Sequence, residues 1–256
     1  MKKLTNAKLN IICSFASIAL IIVAWITAYY SVQNDLLVPS FGETVISFFK
    51  CFADGSFYLA LLKTVLRTFL AFAVSFVLAV ATCALSVWKI AARAVLKPII
   101  VLLRTLPTLA VVLLILIWSG ANAAPVIVTV LVLFPMLHSE MLTAADGVDG
   151  GLKDMLKVYN VSKKDKIFKV YCPLVAKNVL PQTGAAFSLG LKVMISAEVL
   201  ANTYISLGGL MQTAKSYLEM PRLAALTLVA VFLGMIAELA FSQLSKITRK
   251  WERDGD

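Results

Sequence analysis

The sequence predicts an all-α membrane protein with six membrane-spanning helices. Of its 256 residues, 60% are hydrophobic and 15% are charged, whereas a soluble domain carries about 25% charged residues. The mean hydropathy is +0.88, which fits a bilayer better than water as the solvent. The apolar runs are continuous and long, and a helix needs roughly 20 apolar residues to cross a bilayer. Membrane strands would alternate apolar and polar residues over about ten positions, so helices are predicted.

Six apolar runs define the predicted spans of a single transmembrane domain, 1–256. They cover residues 9–30, 58–88, 94–118, 124–142, 174–200 and 222–244. Lys2, Lys3 and Lys8 precede the first run, as they would in a signal peptide. We interpret this run as a retained helix, because its apolar part exceeds the roughly 7–15 residues of a cleavable signal and no A-x-A site follows.

The positions of lysine and arginine predict the orientation of the spans. Sixteen of them fall in the N-terminal tail, the connection around 88–97, the loop 138–172 and the C-terminal tail. The opposite connections contain only Lys50 and Lys215. Basic residues are enriched in cytoplasmic connections, so both termini and the 138–172 loop are predicted to be cytoplasmic. The net charge of +10 is then a topology signal, and we expect no nucleic-acid partner.

The sequence indicates neither a catalytic site nor a metal site. Cys13, Cys51, Cys83 and Cys172 lack the spacing of metal ligands, and His138 is the single histidine. No H-E-x-x-H motif and no G-x-x-x-x-G-K-[ST] phosphate loop occurs in the chain. We therefore expect no cofactor, and any ATP that drives the protein must be bound and hydrolysed by a separate subunit.

A charged loop, 144–173, separates the fourth and fifth spans and predicts a helix, a turn and a second helix. In the first helix, apolar residues recur at helical spacing and form one stripe, namely Val148, Leu152, Leu156 and Tyr159. Asn160 tolerates the left-handed conformation that ends many helices. Ser162 and Asp165 are spaced as a capping box for the second helix, and Pro173 marks the start of the fifth span. The loop is either an interfacial helix on anionic lipid or a docking element for a cytoplasmic partner.

Ionisable residues within the spans are candidates for a translocation path or gate, because charge is costly in a bilayer. Arg104 lies three residues before Pro107, where a proline bends the helix and frees a carbonyl. Either this break lines a path, or Arg104 pairs internally, with Glu238 as a candidate partner. Glu198 is interpreted as a hydrogen-bonding residue near the external gate, in a structural role or in contact with substrate.

Three further features of the spans have simpler interpretations. Lys63 and Arg67, near the outer end of the second span, are expected to extend their charged ends towards the interface. A small-residue face suits close helix packing, either between two copies or within one chain; it comprises Gly184, Ala185, Ala186, Ser188 and Gly190. The pair Gly208-Gly209 predicts a turn after the fifth span.

The charged loop resembles the E-A-A loop of the permeases of binding-protein-dependent ABC importers. That pattern is E-A-A, three residues, G, nine residues, I-x-L-P. Asp154-Met155-Leu156 stands at E-A-A, Asn160 at the glycine, Val170 at the isoleucine and Cys172-Pro173 at L-P. The spacing matches throughout, but Met155 and Leu156 replace small alanines, which suggests a differently shaped groove on the partner.

Longer stretches resemble the nitrate, sulfonate and taurine branch of these permeases. They are "LLVPSFGETVISFFKCFADGSFYLALLKTVLRTFLAF", "PIIVLLRTLPTLAVVLLILIWSG" and "ISAEVLANTYISLGGLMQTAKSYLEMPRLAALTLV". With the loop, the resemblance covers about 36–244. Two positions depart from sulfonate-type permeases: Lys177 stands at a common proline and Gly184 at a common arginine. The second departure weakens any transfer of sulfonate specificity.

The resemblance implies a type I ABC importer permease in the cell inner membrane. It implies three partners, namely an ABC ATPase subunit, an extracytoplasmic solute-binding protein and a second permease copy, and it leaves the solute unspecified. The implied ATPase-coupling residues are Asp154, Met155, Leu156, Tyr159, Asn160, Ser162 and Pro173. The candidate path or gate residues are Arg104, Pro107, Lys192 and Glu198, and Lys192 would attract an anion. A secondary transporter without an ATPase, and a membrane-bound enzyme or scaffold, are the alternatives.

Overall fold

A computed structural model of the chain describes residues 2–34, 37–159, 161–162 and 165–253. All regular elements in these residues are helical, which confirms the predicted all-α class. The α-helices are α1 (Lys2–Val32), α2 (Phe41–Cys51), α3 (Gly55–Trp88), α4 (Ile90–Thr105), α5 (Thr108–Asp146), α6 (Gly150–Val158), α7 (Cys172–Val179), α8 (Thr183–Ala201), α9 (Leu207–Ser216) and α10 (Met220–Arg253). A π-helix (Lys166–Tyr171) precedes α7, and a 3₁₀ turn (Leu180–Gln182) joins α7 to α8.

Four helical stretches of the described chain are long and apolar enough to cross a membrane. They are Gly55–Trp88, Thr108–Asp146, Lys169–Ala201 and Met220–Gln243, and a shorter apolar helix covers Ala16–Val32. The long stretches overlap five of the six predicted spans, because Thr108–Asp146 covers the fourth and the second half of the third, and the short helix overlaps the first. These apolar helices agree with the predicted membrane-protein class, whereas the third predicted span is organised differently.

The third predicted span, 94–118, is divided between α4 and α5. Leu106 has an extended backbone with ψ of 130°, as expected for a residue before proline. Pro107 then lacks the N–H that would continue the hydrogen-bond ladder. Helix resumes at Thr108 but breaks again at Gly120, whose φ of 75° and ψ of 170° are accessible almost only to glycine. The predicted boundary between the third and fourth spans lies at this kink.

The chain forms two compact units. The first comprises Met1–Gly55 and Met211–Val229. Within it, Trp25 of α1 donates its Nε1–H to the carbonyl of Pro39 at 3.1 Å. The Trp25 ring also meets Phe41 of α2 edge to face, with centroids 5.9 Å apart. These contacts hold α2 against α1.

The second unit comprises Ser56–Leu210 and Ala230–Asp256, and its core forms where α5 packs along α8. Buried side chains of α5 cluster around Ala197 of α8, among them Ile115 and Val128. Further along, Leu133 lies so close to Gly190 that a Cβ there would be 2.8 Å from Leu133 Cδ1. Helices in a membrane associate through such close van der Waals packing at small residues, so this seam is a main source of cohesion.

The small-residue face of α8 makes an intramolecular contact with α10. A Cβ on Gly184 would lie 3.0 Å from Phe241 Cβ and 3.1 Å from the carbonyl oxygen of Glu238. Ser188 Oγ approaches the α10 residue Gly234 in the same way, at 3.2 Å from the position of its absent Cβ. Of the two alternatives for this face, packing within one chain is the one that the described residues display.

Candidate functional site

A buried hydrogen-bond network centred on Glu198 joins α3, α8 and the start of α9. Glu198 is fully buried, and its carboxylate accepts three hydrogen bonds. The donors are Thr64 Oγ1 at 2.8 Å, Arg67 Nη1 at 3.2 Å and the backbone N–H of Gly208 at 3.3 Å. A buried carboxylate is tolerated when it is paired and hydrogen-bonded in this way. We call these four residues the Glu198 cluster.

Further hydrogen bonds connect the cluster to neighbouring segments. The Thr64 hydroxyl, which donates to Glu198, accepts the backbone N–H of Leu207 at 2.9 Å. Arg67 Nη2 lies 3.5 Å from Oδ1 of Asn122, two residues after the α5 kink. The cluster therefore ties the first residues of α9 to α3, and α3 to the segment that follows the kink.

The turn between α8 and α9 covers residues 202–206. α8 ends at Ala201 because Asn202 adopts the left-handed conformation, with φ of 50°, which asparagine tolerates better than most residues. Thr203 Oγ1 donates to the carbonyl of Ala121 at 2.7 Å, and Ser206 Oγ accepts the N–H of Gly209 at 2.8 Å as an N-cap. Polar side chains thus anchor both ends of this connection.

The prediction of a turn at Gly208-Gly209 is wrong, because both glycines lie in the first turn of α9. At Gly208 the absence of a side chain permits close approach to α8. A Cβ there would lie 2.7 Å from the carbonyl oxygen of Ile195 and 2.7 Å from the backbone nitrogen of Val199. Only glycine lets the Gly208 N–H reach the Glu198 carboxylate from this position.

The other path or gate candidates, Arg104, Pro107 and Lys192, are exposed and do not belong to the Glu198 cluster. Arg104 is exposed, and its Nη1 lies 3.4 Å from Ser139 Oγ of α5. Ser139, and not the suggested Glu238, is therefore the partner that the structure places at this guanidinium. Pro107 and Lys192 are also exposed. Among the described contacts of these candidates, only those of Glu198 form a buried network.

The predicted coupling loop presents an exposed apolar face on α6. Leu156 and Val148 are buried against the rest of the unit. Met155, Val158 and Tyr159 are 49%, 82% and 75% exposed, and we call these three residues the exposed face of α6. The predicted apolar stripe extends beyond the helix, because α6 ends at Val158 and Tyr159 lies in the following turn. Asn160 and the side chain of Asp154 lie outside the described residues.

Of the two bonds of the predicted capping box after α6, the described contacts include the one to the Ser162 hydroxyl. Ser162 Oγ accepts the backbone N–H of Asp165 at 3.1 Å and donates to Asp165 Oδ2 at 2.6 Å. Lys169, four residues on, places its Nζ 2.7 Å from Asp165 Oδ1. The Lys169 ammonium, and then the Ser162 hydroxyl, hold the pKa of Asp165 below its ordinary value. Asp165 is consequently ionised and fixed at neutral pH.

Pro173 lies inside a continuous helical path rather than between two helices. The π-helix Lys166–Tyr171 runs directly into α7, with the N–H of Cys172 donating to the carbonyl of Ile167. A proline ring crowds the preceding helical turn, and in this chain that turn is the π-helix, whose hydrogen bonds join residues five apart. From Asp165 onwards the chain therefore runs as helix into the fifth predicted span.

Sequence reasoning missed Arg67 and Thr64 as partners of Glu198. Arg67 was assigned to the interface, but its guanidinium is mostly buried against Glu198. A signal was available in α3, where Ala60, Thr64, Thr68 and Ala71 are buried at helical spacing. Arg67 has the same helical spacing and therefore lies on the face of α3 that carries these small and hydroxyl side chains. This position indicates that Arg67 faces the interior of the protein and not the interface.

Comparisons with known proteins agree with one another. The family model described as "Binding-protein-dependent transport system inner membrane component" matches residues 71–250, more than half of the chain. The putative aliphatic sulfonates transport permease protein SsuC of Escherichia coli (strain K12) is 24% identical over 155 residues, which are 59% of this chain and 57% of that protein. The chain thus spans little more than half the length of this relative.

A solved structure shares the fold at low sequence identity. It is described as the crystal structure of an amino acid ABC transporter with histidines, and it superposes with a TM-score of 0.60 at 21% identity. The alignment covers 75% of this chain and 91% of that chain. At this identity the likeness concerns the fold alone.

Proposed function

This chain belongs to the family of binding-protein-dependent transport system inner membrane components, and from that premise we propose that it forms the translocation path for a small solute delivered by an external binding protein. Members of this family are transport components rather than enzymes, and the chain is a permease subunit of an ABC importer. We further propose that a separate ATPase subunit binds and hydrolyses ATP, and that two permease copies enclose the path.

The exposed face of α6 is the observation that carries the ATPase part of this proposal. Three neighbouring apolar side chains are exposed, Met155 and Val158 on α6 and Tyr159 directly after it, whereas Leu156 of the same helix is buried. Apolar and aromatic side chains are enriched at the centres of protein interfaces. A helix anchored on one face and apolar on the other suits insertion into a groove of a partner.

Continuity of the helix beyond α6 supports the transmission of movement to the membrane. From Asp165 the chain passes through the π-helix, α7 and the 3₁₀ turn Leu180–Gln182 into α8 without a described loop. A stiff element can transmit a rigid-body displacement, whereas a flexible linker would absorb it. Differential contacts of this element with the two states of an ATPase would bias the conformation of the permease.

The Glu198 cluster is proposed to stabilise one end of the path. Its bonds hold the α8–α9 connection against α3. Separating these helices would leave the Glu198 carboxylate partly unpaired in a low-dielectric environment, which is costly. The cluster therefore favours one arrangement of these helices, and a movement that opens the path there must replace its hydrogen bonds.

For the solute, we propose a chemical class and no specific compound. The relative from Escherichia coli is named for aliphatic sulfonates, and the exposed Lys192 and Arg104 would attract an anion. Gly184 packs against α10 and supplies no cation where sulfonate-type permeases commonly have arginine. We therefore propose a small organic solute and do not transfer sulfonate specificity to this chain.

The ATPase partnership is tested by purifying the tagged full-length chain from its native membranes and identifying co-purified subunits by mass spectrometry. An ABC ATPase is the expected partner. Tyr159→Asp places a charge in the proposed interface, and burying an unpaired polar group costs about 2 kcal/mol or more. The affinity for the ATPase should therefore fall by at least about thirtyfold.

Tyr217→Asp is the matched control, because Tyr217 is also 75% exposed but lies in the segment predicted to be external. This variant should retain the ATPase at the wild-type level. Equal retention of the ATPase by Tyr159→Asp and the wild type would refute the assignment of the exposed face of α6 as the docking surface.

A further inference from the structure

An apolar cavity of about 520 Å³ lies in the second unit, distinct from the Glu198 cluster and from the exposed face of α6. The second half of α3, the last turns of α5, the π-helix and α7 enclose it. Its lining includes Val80, Met141, Tyr171 and Val179, and almost no polar surface. This volume is within the range of about 300–1,000 Å³ that ligand sites occupy.

The cavity is lined by buried residues on one side and by exposed residues of α3 and α7 on another. At its back, Cys83, Met141 and Val179 are buried. At its opening, Val80 and Cys172 are exposed on the sides of α3 and α7. Because α3 is an apolar membrane helix, the medium facing this opening is hydrocarbon rather than water.

The length of the cavity along α3 is similar to the thickness of one leaflet of a bilayer. Its lining on α3 extends from Phe76 to Val87, which is about 17 Å at 1.5 Å per residue. Half of a hydrocarbon core about 30 Å thick is about 15 Å. Trp88 and Lys89 follow immediately, and tryptophan and lysine are typical of the membrane interface.

Two cations near the interfacial end of the cavity have no carboxylate partner among the described contacts. Lys89 lies two residues beyond the cavity and places its ammonium 5.8 Å from the centroid of the Trp88 ring. Lys166 precedes Ile167, which lines the cavity. The neighbouring Arg93 and Lys169, in contrast, are already engaged with Asp146 and Asp165.

We propose that the cavity binds one acyl chain of an anionic phospholipid from the leaflet at the Trp88 end of α3. The apolar lining accepts the chain, and Lys89 and Lys166 attract the headgroup, since each basic residue near a membrane surface contributes about 1 kcal/mol towards anionic lipid. Because Ile167 and Tyr171 form part of the wall, the bound chain supports the helix that leads from Asp165 into α7. This site is independent of the proposed partners.

Lipid retention tests the proposal directly. The full-length protein is purified in detergent from vesicles of equal phosphatidylglycerol and phosphatidylcholine content, and the retained lipid is quantified by mass spectrometry. The wild type should retain phosphatidylglycerol in preference, at about one molecule per chain. Ala84→Trp places an indole in the cavity and should abolish this retention, while Leu70→Trp, on an exposed part of the same helix, should preserve it.

Lys166→Gln and Lys89→Gln should each lower the preference for phosphatidylglycerol by about fivefold. These variants and the wild type decide the matter even if Ala84→Trp fails to fold. Equal retention of the two lipids by the wild type would overturn the proposal. A second result would also overturn it, namely that Cys172 of one copy forms an oxidative cross-link with Cys172 of another in a chain that carries Cys13→Ser. In that case a second copy, and not lipid, would cover the opening.

Discussion

Single residues in this protein act mainly through the contacts that they permit between helices. Glu198 provides a buried charge that three donors from two other segments must satisfy. Gly208 provides the missing side chain that lets one of those donors approach. Glu198 and Gly208 each fit their positions only when the other is present. Substituting either residue should therefore change the stability of the folded protein.

Glu198→Gln should lower the stability of the purified protein. The amide oxygen can still accept the Thr64 hydroxyl, but the amide nitrogen faces the guanidinium of Arg67 as donor against donor. Hydrogen bonds to charged groups contribute about 1.5–3 kcal/mol, and a loss in this range is expected. Thermal unfolding in detergent measures it, with Lys192→Gln as an exposed control on the same helix that should change stability by less than about 0.5 kcal/mol.

A wild-type unfolding midpoint for Glu198→Gln would contradict the buried network, since the charged partner of Arg67 would then be dispensable.

Gly208→Ala should destabilise the protein by about 1–3 kcal/mol, as overpacking does. The new Cβ would lie 2.7 Å from backbone atoms of Ile195 and Val199, and the α8 backbone cannot move aside as a flexible side chain would. Gly42→Ala in α2 is the control, because nothing lies within 4 Å of its added Cβ. This control should raise stability by about 0.5–1 kcal/mol. Opposite signs for the two unfolding measurements are the expected result, and equal signs would contradict the close approach.

At the scale of elements, two helix breaks and one capped segment determine the organisation of the second unit. Pro107 separates α4 from α5, and Gly120 bends α5. Ser162 caps the Asp165 N–H, and helix runs from Asp165 through the π-helix into α7. The breaks supply places where helices change direction, and the cap supplies a fixed starting point for a long stiff element.

The capped segment should be stable at neutral pH and weaken in acid. The pKa of Asp165 is lowered in the folded state, so its stabilisation is present above the ordinary pKa of about 3.9 and is lost as the pH falls through the lower, folded value. Amide exchange of residues 166–169 should thus be equally protected, after correction for intrinsic rates, from about pH 8 to pH 5 and lose protection below about pH 4.

Asp165→Asn is the control for the capped segment, because it removes the titrating group and should remove the acid-induced loss. Protection of 166–169 that declines already between neutral pH and about pH 5 would disagree with the lowered pKa of Asp165.

At the scale of the whole molecule, the asymmetry of basic residues predicts which side of the membrane each connection faces. Single cysteines test this orientation in a chain whose exposed Cys13 and Cys172 are replaced by serine. Lys215→Cys should react with a membrane-impermeant maleimide from outside intact cells, and Asp149→Cys should react only in inverted vesicles, because the positive-inside rule places 149 in the cytoplasm. Both positions are exposed. The reverse pattern would place the exposed face of α6 away from any cytoplasmic ATPase.

The sequence by itself determined the all-α membrane class, the permease family and the cap at Ser162, and it predicts the orientation of the spans. These properties depend on apolar length, on the distribution of charge and on contacts between residues close in the chain, and each can be recognised without knowing which helices meet. The resemblance in the charged loop rests on spacing and is local in the same sense. The predicted helices and the predicted cap were confirmed where they depend on solvation by lipid or on a bond between residues close in the chain.

Only the tertiary structure decided the partner of Glu198, the role of Gly208, the exposure of Tyr159 and the cavity beside α3. Thr64 and Glu198 are separated by 134 positions in the chain, and no local pattern specifies which of several polar residues will meet across such a distance. The apolar lining of the cavity looks in sequence like any lipid-facing surface. Whether an apolar side chain faces lipid, another helix or an internal space depends on how helices pack, because inside a membrane all three environments are apolar.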